Sequence, residues 1–203
     1  GRIARQDAQA ERAAPSGRRV SLTMRTYLAR SWVHPDLIGG ESKIHGEGVF
    51  ASAPIARGEK LMEFGGERIS GEQSANGYRE CSVWAVAHDT YLALPESDPD
   101  PSLDENLNHS CDPNAWLTDE VTLVARRDIA AGEEITLDQA TWNYDDAEYT
   151  WDDMDCGCGA RGCRGGLTEK DWMLSELQAR YQGHFHPIVQ KMIDALDRVT
   201  PIR

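Results

Sequence analysis

Three short stretches of this sequence hold residues able to do chemistry. Leu107–Trp116 reads LNHSCDPNAW and places an amide, an imidazole, a hydroxyl, a thiol and a carboxylate side by side. Cys156–Cys163 reads CGCGARGC, and His45–Ala51 reads HGEGVFA, with Gly46 and Gly48 bracketing Glu47. In the second stretch Cys156, Cys158 and Cys163 are separated by one and four residues, with glycines between and after them. Small residues let a short loop fold back until several sulfurs face one point. Three thiolates are one short of a tetrahedral zinc site. Cys111 is the natural fourth donor, 45 residues before Cys156, and His109 is the alternative. Two disulfides, an iron–sulfur cluster or an irregular Gly/Cys turn are the competing readings, although a Cys-x-Cys disulfide is sterically awkward. A zinc site closed by four thiolates has no open coordination position, so it would be structural. Cys81 is left over and reads as a buried small hydrophobe at a strand edge. Asn108 offers donors and an acceptor to a polar ligand, or caps a turn.

The elements that must position these residues are short. Residues 1–19 are polar and rich in Arg and Ala, and read as a tail. Residues 20–30 form a first strand or a short helix. A strand is expected over Lys60–Phe64, ended by Gly65–Gly66. SVWAVA and TYLAL flank His88–Asp89 and read as a hairpin. AWLT and EVTLVARRDI are two more strands parted near Asp119, and EEITLDQ is a further one after the Ala131–Gly132 turn. Many short strands joined by Gly/Pro turns predict an irregular β fold or a barrel-like sandwich, without alternating βα units. The C-terminal end is helical. Thr168 caps a helix with Asp171 at its third position, and Trp172, Met173, Leu177 and Tyr181 form its apolar face. A second helix starts near Pro187, with a stripe of Ile188, Met192, Ala195 and Val199 widened by Val189, Ile193 and Leu196. Both helices are expected to lie on the β core.

Composition narrows the function classes. A chain of 203 residues suffices for one packed core. It has no apolar run of about 18 residues that would span a membrane. It has no secretory signal pattern near its start, which makes cytoplasm the expected location. Its net charge is −13, unevenly spread: residues 1–30 hold seven Arg against Asp7 and Glu11, a balance of +5. The rest therefore carries −18, which disfavours direct nucleic-acid binding and favours basic partners. The basic arm can fold onto its own chain or onto a neighbour's, which would give a homodimer. Asp145–Asp155 holds six acidic residues and no basic one.

Taken in order, these motifs resemble the SET-domain protein-lysine methyltransferases with a zinc-binding post-SET segment. HGEGVFA at 45–51 looks like the family's Gly-x-Gly cofactor segment, followed by ARGEKLMEFGGERI at 56–69. NHSCDPN at 108–114 matches the Asn-His-Ser-Cys-x-Pro-Asn signature at every fixed position. RRDIAAGEEITLD at 126–138 looks like the strand–turn–strand that follows, and CGCGARGCRG at 156–165 matches the Cys-x-Cys-x4-Cys pattern. The Ala/Gly/Arg/Asp-rich composition fits a small bacterial member.

The resemblance implies a mostly β fold with C-terminal helices: a SET-type β-clip of short strands with a threaded C-terminal pseudoknot. It implies a basic N-terminal arm at 1–30, a SET domain at 31–155, a zinc knot at 156–166 and a helical extension at 167–203. It implies S-adenosylmethionine bound by Gly46, Glu47, Gly48 and Val49 together with Asn108 and His109, and structural zinc on Cys111, Cys156, Cys158 and Cys163. Trp151 is expected to cover the adenine or line the substrate channel, and Trp142 to form a channel wall. The expected reaction is methyl transfer to lysine in a basic protein or peptide, with the acidic run after Tyr144 as a guide. One departure stands out. The family places a catalytic tyrosine directly after the Glu-x-Thr-x-Asp run, and this chain has Gln139 there. Tyr144 and Tyr91 are the candidates to supply the missing hydroxyl. The alternative is a degenerate domain that binds a basic partner without methyl transfer.

Overall fold

The computed structural model describes residues 25–74, 76–144 and 154–199. Trp151, most of the 145–155 acidic run and the arm before residue 25 lie outside the described residues.

Short strands form where alternate side chains face a common interior. They are β1 Trp32–Val33, β2 Leu37–Glu41, β3 Glu47–Ala51, β4 Lys60–Glu63, β5 Glu67–Ile69, β6 Trp84–Ala87 and β7 Thr90–Ala93. After these come β8 Asn108–His109, β9 Ala115–Leu117, β10 Thr122–Ala125, β11 Glu134–Leu137, β12 Met154–Asp155 and β13 Gly166–Leu167. They make two four-stranded sheets, β1-β4-β10-β9 and β2-β3-β11-β8, one three-stranded sheet β5-β7-β6, and the ribbon β12-β13. These are small sheets around a shared core rather than a closed barrel. In β10, Leu123 and Ala125 point inward while Thr122 and Val124 are half-buried, and β9 answers with Ala115 and Leu117. Leu61, Met62, Leu117, Leu123 and Ile135 are fully buried in the main core. Each such side chain contributes about 1.5–3 kcal/mol.

The hairpin at His88–Asp89 forms as expected, β6 against β7, with Asp89 at φ 50° closing the turn. The segment at 25–31 is neither strand nor helix. It is a strap across the body: Leu28 accepts from the Gly66 amide at 2.9 Å, and Arg25 pairs with Asp119 and Glu120. Arg30 binds Asp98, so the described part of the basic arm docks on its own acidic body.

The C-terminal end departs from expectation in four ways. Thr168 and Asp171 do bond, at 2.9 Å, but they begin only a 3-10 turn at Asp171–Met173. The Asp171 carboxylate is shared with Arg164, and the helix starts later, at Ser175–Arg180 (α2, after a short α1 at Gly71–Ser74). Met173 is exposed, whereas Trp172, Leu177 and Tyr181 are buried. In α3, Pro187–Val199, the buried line is Val189 and Ile193, while Ala195 and Leu196 face solvent. The two helices do not simply lie on the β core. They build a second core with Phe185 and with Ala140, just beyond β11. Among the described residues no helix is long and apolar enough to cross a membrane.

Candidate functional site

The site begins where β8 pairs in parallel with β11, Asn108 opposite Thr136 and His109 opposite Leu137. This two-residue strand brings the 108–111 stretch beside the Gly46–Gly48 segment. The Asn108 side-chain amide donates to the carbonyls of His45 at 3.1 Å and Glu47 at 2.9 Å, and to Glu134 Oε1 at 2.8 Å. Ser42 Oγ donates to the same Glu134 oxygen at 2.7 Å. Asn108 is thus held by the two carbonyls that flank Gly46. Val49 is fully buried in the main core, so its side chain cannot face a ligand. Glu134 was missed in the sequence. Its only signal was being the second of two adjacent glutamates at the start of β11.

His109 is buried and held on both ring nitrogens. Nδ1 accepts from the Gln139 amide at 3.1 Å, and Nε2 lies 3.3 Å from Cys111 Sγ. Because Nδ1 is the acceptor, the proton belongs on Nε2 and points at the sulfur. Burial lowers its pKa to about 4, against a raising influence from Asp138, so the ring is neutral at physiological pH.

Two thiols of the C-terminal loop come together with Cys111. Cys111 Sγ and Cys156 Sγ lie 3.8 Å apart. A tetrahedron of metal–sulfur bonds about 2.3 Å long has edges of about 3.8 Å, so this pair already spans one edge. All five cysteines are free, which removes the disulfide reading. Backbone amides aim at the sulfurs: Cys111 N at Cys158 (3.5 Å), Arg164 N at Cys111 (3.4 Å) and Gly165 N at Cys163 (3.4 Å). Burial raises the Cys111 thiol and holds Cys156 at about 11. For Cys158 burial also opposes ionisation, but the amides of Cys111 and Ala160 outweigh it and bring the pKa to about 7. The donor atoms of His109, Cys111, Cys156 and Cys158 lie within 4.8 Å of one another. Cys163, expected as the fourth thiolate, is not in this set; its Sγ donates to the Cys156 carbonyl at 3.6 Å. His109 competes poorly with it as a ligand, since its Nε2 must carry the proton while Nδ1 accepts from Gln139. Cys81 is not in the group and is not a buried hydrophobe. It is exposed, on the 3-10 turn Glu80–Ser82, and donates to Glu105 Oε2 at 3.0 Å. Burial and that carboxylate raise its pKa to about 11, leaving it a poor nucleophile.

A cavity of about 620 Å³ opens on Asn108 and His109, while Gly46–Val49 and the four thiols of Cys111, Cys156, Cys158 and Cys163 are not among its lining residues. Asn108, His109, Gln139 and Tyr144 line one side, and Tyr91 lines it as well. The three residues expected to do the chemistry thus share one space with two of the cofactor candidates. An aromatic run forms another wall: Phe64 stacks on Trp84 at 3.9 Å, and Trp84 leans on Trp142 at 5.1 Å. Trp84 is fixed by its Nε1 donating to the Glu120 carbonyl at 2.7 Å. Glu80, Glu96, Asp104 and Glu105 also line the cavity, against Arg79 as its cation. Trp116 is half-buried and stacked on His184 at 3.5 Å.

Behind the cavity, Asp138 is completely buried. It takes both guanidinium nitrogens of Arg164 at 2.8 Å and the Tyr181 hydroxyl at 3.0 Å. Sequence reading missed this cluster because its members are 26 and 43 residues apart.

Residues 46–138 match the family model described as SET domain. Histone-lysine N-methyltransferase ATX2 of Arabidopsis thaliana is 27% identical over 147 residues, covering 65% of this chain and 13% of that protein. Histone-lysine N-methyltransferase ASHH3 of the same plant is 32% identical over 136 residues, covering 59% of this chain and 34% of that protein. The chain thus spans only a minor part of the length of these curated relatives. A chain in the crystal structure of an active polycomb repressive complex 2 in the basal state aligns over 50% of this chain and 15% of its own length. Its TM-score is 0.41 and its identity 22%, a partial likeness only. Cys156, Cys158, Cys163 and the helices after residue 155 lie beyond the matched stretch.

Proposed function

We propose that this protein transfers a methyl group from S-adenosylmethionine to the ε-amine of lysine in a basic protein or peptide. The observation that carries the reading is the cavity. It joins the Asn108–His109 pair of the SET domain to an aromatic wall suited to an alkyl chain, and to carboxylates suited to its charged neighbours. Its volume lies within the usual range for small-ligand sites, roughly 300–1,000 Å³.

When bound, S-adenosylmethionine supplies an electrophilic methyl group on a positively charged sulfur. Asn108, the Gly46–Gly48 backbone and the neutral His109 are the groups that would hold it, with Trp151 as a further candidate. The polar amide and the uncharged ring fit that ligand, and neither brings a cation beside its sulfur. The remaining work belongs to the substrate side. Phe64, Trp84 and Trp142 enclose the lysine stem and strip water from its amine, which favours the neutral, nucleophilic form. His109 has both nitrogens engaged and does not serve as base, so the amine sheds its proton to solvent before transfer. Gln139, Tyr144 and Tyr91 orient the amine by hydrogen bonding, and positioning rather than acid–base chemistry supplies the rate. Glu80, Glu96, Asp104 and Glu105, with the acidic run after Tyr144, attract a Lys/Arg-rich substrate. Cys111, Cys156, Cys158 and Cys163 hold structural zinc, and the threaded segment around Cys111 makes the pseudoknot that the metal locks.

Gln139 in the place of the family's tyrosine favours a second reading, a domain that binds a basic partner without transfer. Incubation with labelled S-adenosylmethionine and a panel of basic proteins separates the two. Label on lysine supports transfer. Tight capture of a basic protein with no label, and no cofactor bound, supports the second reading.

A further inference from the structure

The C-terminal segment, outside the matched SET domain, reaches the floor of the site through one buried carboxylate. Asp138 Oδ1 accepts from the Ala140 amide at 3.0 Å and from Arg164 Nη2 at 2.8 Å. Oδ2 accepts from Arg164 Nη1 at 2.8 Å and from the Tyr181 hydroxyl at 3.0 Å. Through Ala140, Asp138 caps the 3-10 turn Gln139–Thr141. The first amide of that turn, Gln139 N, is the donor that fixes His109 Nδ1. Arg164 follows Cys163, its backbone amide points at Cys111 Sγ, and its Nε donates to Asp171 at 2.9 Å. Two more contacts bind the same region. Arg180 Nη1 donates to the Cys111 carbonyl at 2.9 Å, and the His186 amide donates to the Thr141 carbonyl at 2.7 Å.

We propose that Arg164, Asp138 and Tyr181 form a positioning relay through which the thiol knot and α2 set the Gln139 turn and the tautomer of His109. None of the three lines the cavity, so they are positioning residues rather than catalytic ones. The physical ground is charge and geometry. A bidentate Arg–carboxylate pair fixes the plane of the carboxylate as well as its place. With both Asp138 oxygens filled, the carboxylate can aim at Ala140 N in only one way, and the turn follows. The His109 ring then has one acceptor nitrogen facing Gln139 and one donor facing the sulfur. A SET domain ending at residue 138 would contain Asp138 but neither of its side-chain partners. This chain's helical extension is accordingly part of the site's scaffold.

The kinetic side of this inference rests on the methyl-transfer reading, whereas its spectroscopic side does not. The test uses the full chain with Tyr181→Phe and Arg164→Lys, each compared with wild type. Tyr181→Phe removes one hydroxyl and keeps the ring packing. Arg164→Lys keeps the charge and loses the bidentate plane. Metal content, the ¹⁵N resonances of the His109 ring, cofactor affinity, and kcat and KM are measured on the same samples. The expected result is unchanged metal content and a shift of the His109 ring nitrogens toward a mixed tautomer. Cofactor affinity or kcat should fall roughly 10-fold, the equivalent of one hydrogen bond to a charged group, with little change in KM for the peptide. Lowered thermal stability with His109 resonances and kcat within twofold of wild type would overturn the relay, leaving a purely structural cluster. Should Arg164→Lys fail to fold, Tyr181→Phe decides alone. If wild type neither binds cofactor nor transfers methyl, the functional reading falls, and the His109 resonances still decide the relay.

Discussion

Gly46 and Gly48 flank Glu47 and are small for different reasons, which gives a quantitative prediction. Gly46 has φ +49° and open space where a Cβ would go, so Gly46→Ala costs only the left-handed strain, about 1 kcal/mol. Gly48 has ordinary backbone, but a Cβ there would lie 2.5 Å from Glu134 Oε1 and 3.0 Å from Ser42 Cβ. That carboxylate oxygen is held by Ser42 Oγ at 2.7 Å and Asn108 Nδ2 at 2.8 Å. Gly48→Ala must push Glu134 aside and break both bonds. Each is a bond to a charged group in a half-buried place, so the loss is about 3 kcal/mol together. With Glu134→Ala in the background the carboxylate is already gone. Gly48→Ala should then cost about 1 kcal/mol for the residual crowding at Ser42. The assay is urea unfolding of wild type, both single variants and the double variant, paired with cofactor titration. The cycle should show about 3 kcal/mol of coupling, and both Gly48→Ala and Glu134→Ala should weaken cofactor binding by freeing Asn108, whereas Gly46→Ala should not. Additivity within about 0.5 kcal/mol would refute the reasoning, because Gly48 and Glu134 would then be independent.

Other consequences are simpler to state. Cys158→Ser should abolish zinc binding and destabilise the segment after residue 155, read by metal content and by hydrogen exchange, because metal binding energy here is folding energy. His186, buried at the start of α3 with Nδ1 accepting from Ile188 N at 3.2 Å, has its pKa lowered by burial from 6.5 to about 4. The folded protein therefore binds fewer protons than the unfolded chain between these values. Its contribution is complete above pH 6.5 and is lost as pH falls toward 4, by roughly 3 kcal/mol. His186→Asn should flatten that part of a stability–pH curve. Gln139→Tyr, on the turn that lines the cavity, should change the number of methyls added or the rate of transfer. An unchanged product distribution and rate would mean that residue 139 does not face the reacting amine.

How much of this was legible beforehand depends on how local the cause was. The β6–β7 hairpin could be read because alternation and the His88–Asp89 turn lie within ten residues. The gathering of Cys156 and Cys158 could be read because they share one short loop, whereas Cys163 of the same loop stands outside the set that forms with His109 and Cys111. β8 could not be read as a strand, since two residues carry no periodicity and their partner, β11, pairs in parallel from a distant segment. The helix expected after Thr168 starts late because Asp171 is drawn to Arg164, a demand that propensity does not contain. Cys81 looked like a core residue by type, but Glu105 holds it at the surface. Asp138 passed as one more acid in a strand; its role comes from Arg164 and Tyr181, which only the fold brings to it.

The central claim is that this cavity moves a methyl group onto lysine. Its most direct test is to titrate the purified chain with S-adenosylmethionine in a calorimeter. Metal content is measured on the same sample, and basic proteins incubated with it are examined by mass spectrometry. The account predicts one zinc per chain, micromolar cofactor binding and methyl increments on lysine side chains. Zinc present with no cofactor heat at several temperatures and no methylated product would contradict it, and would make Gln139 the mark of a domain that binds without transferring.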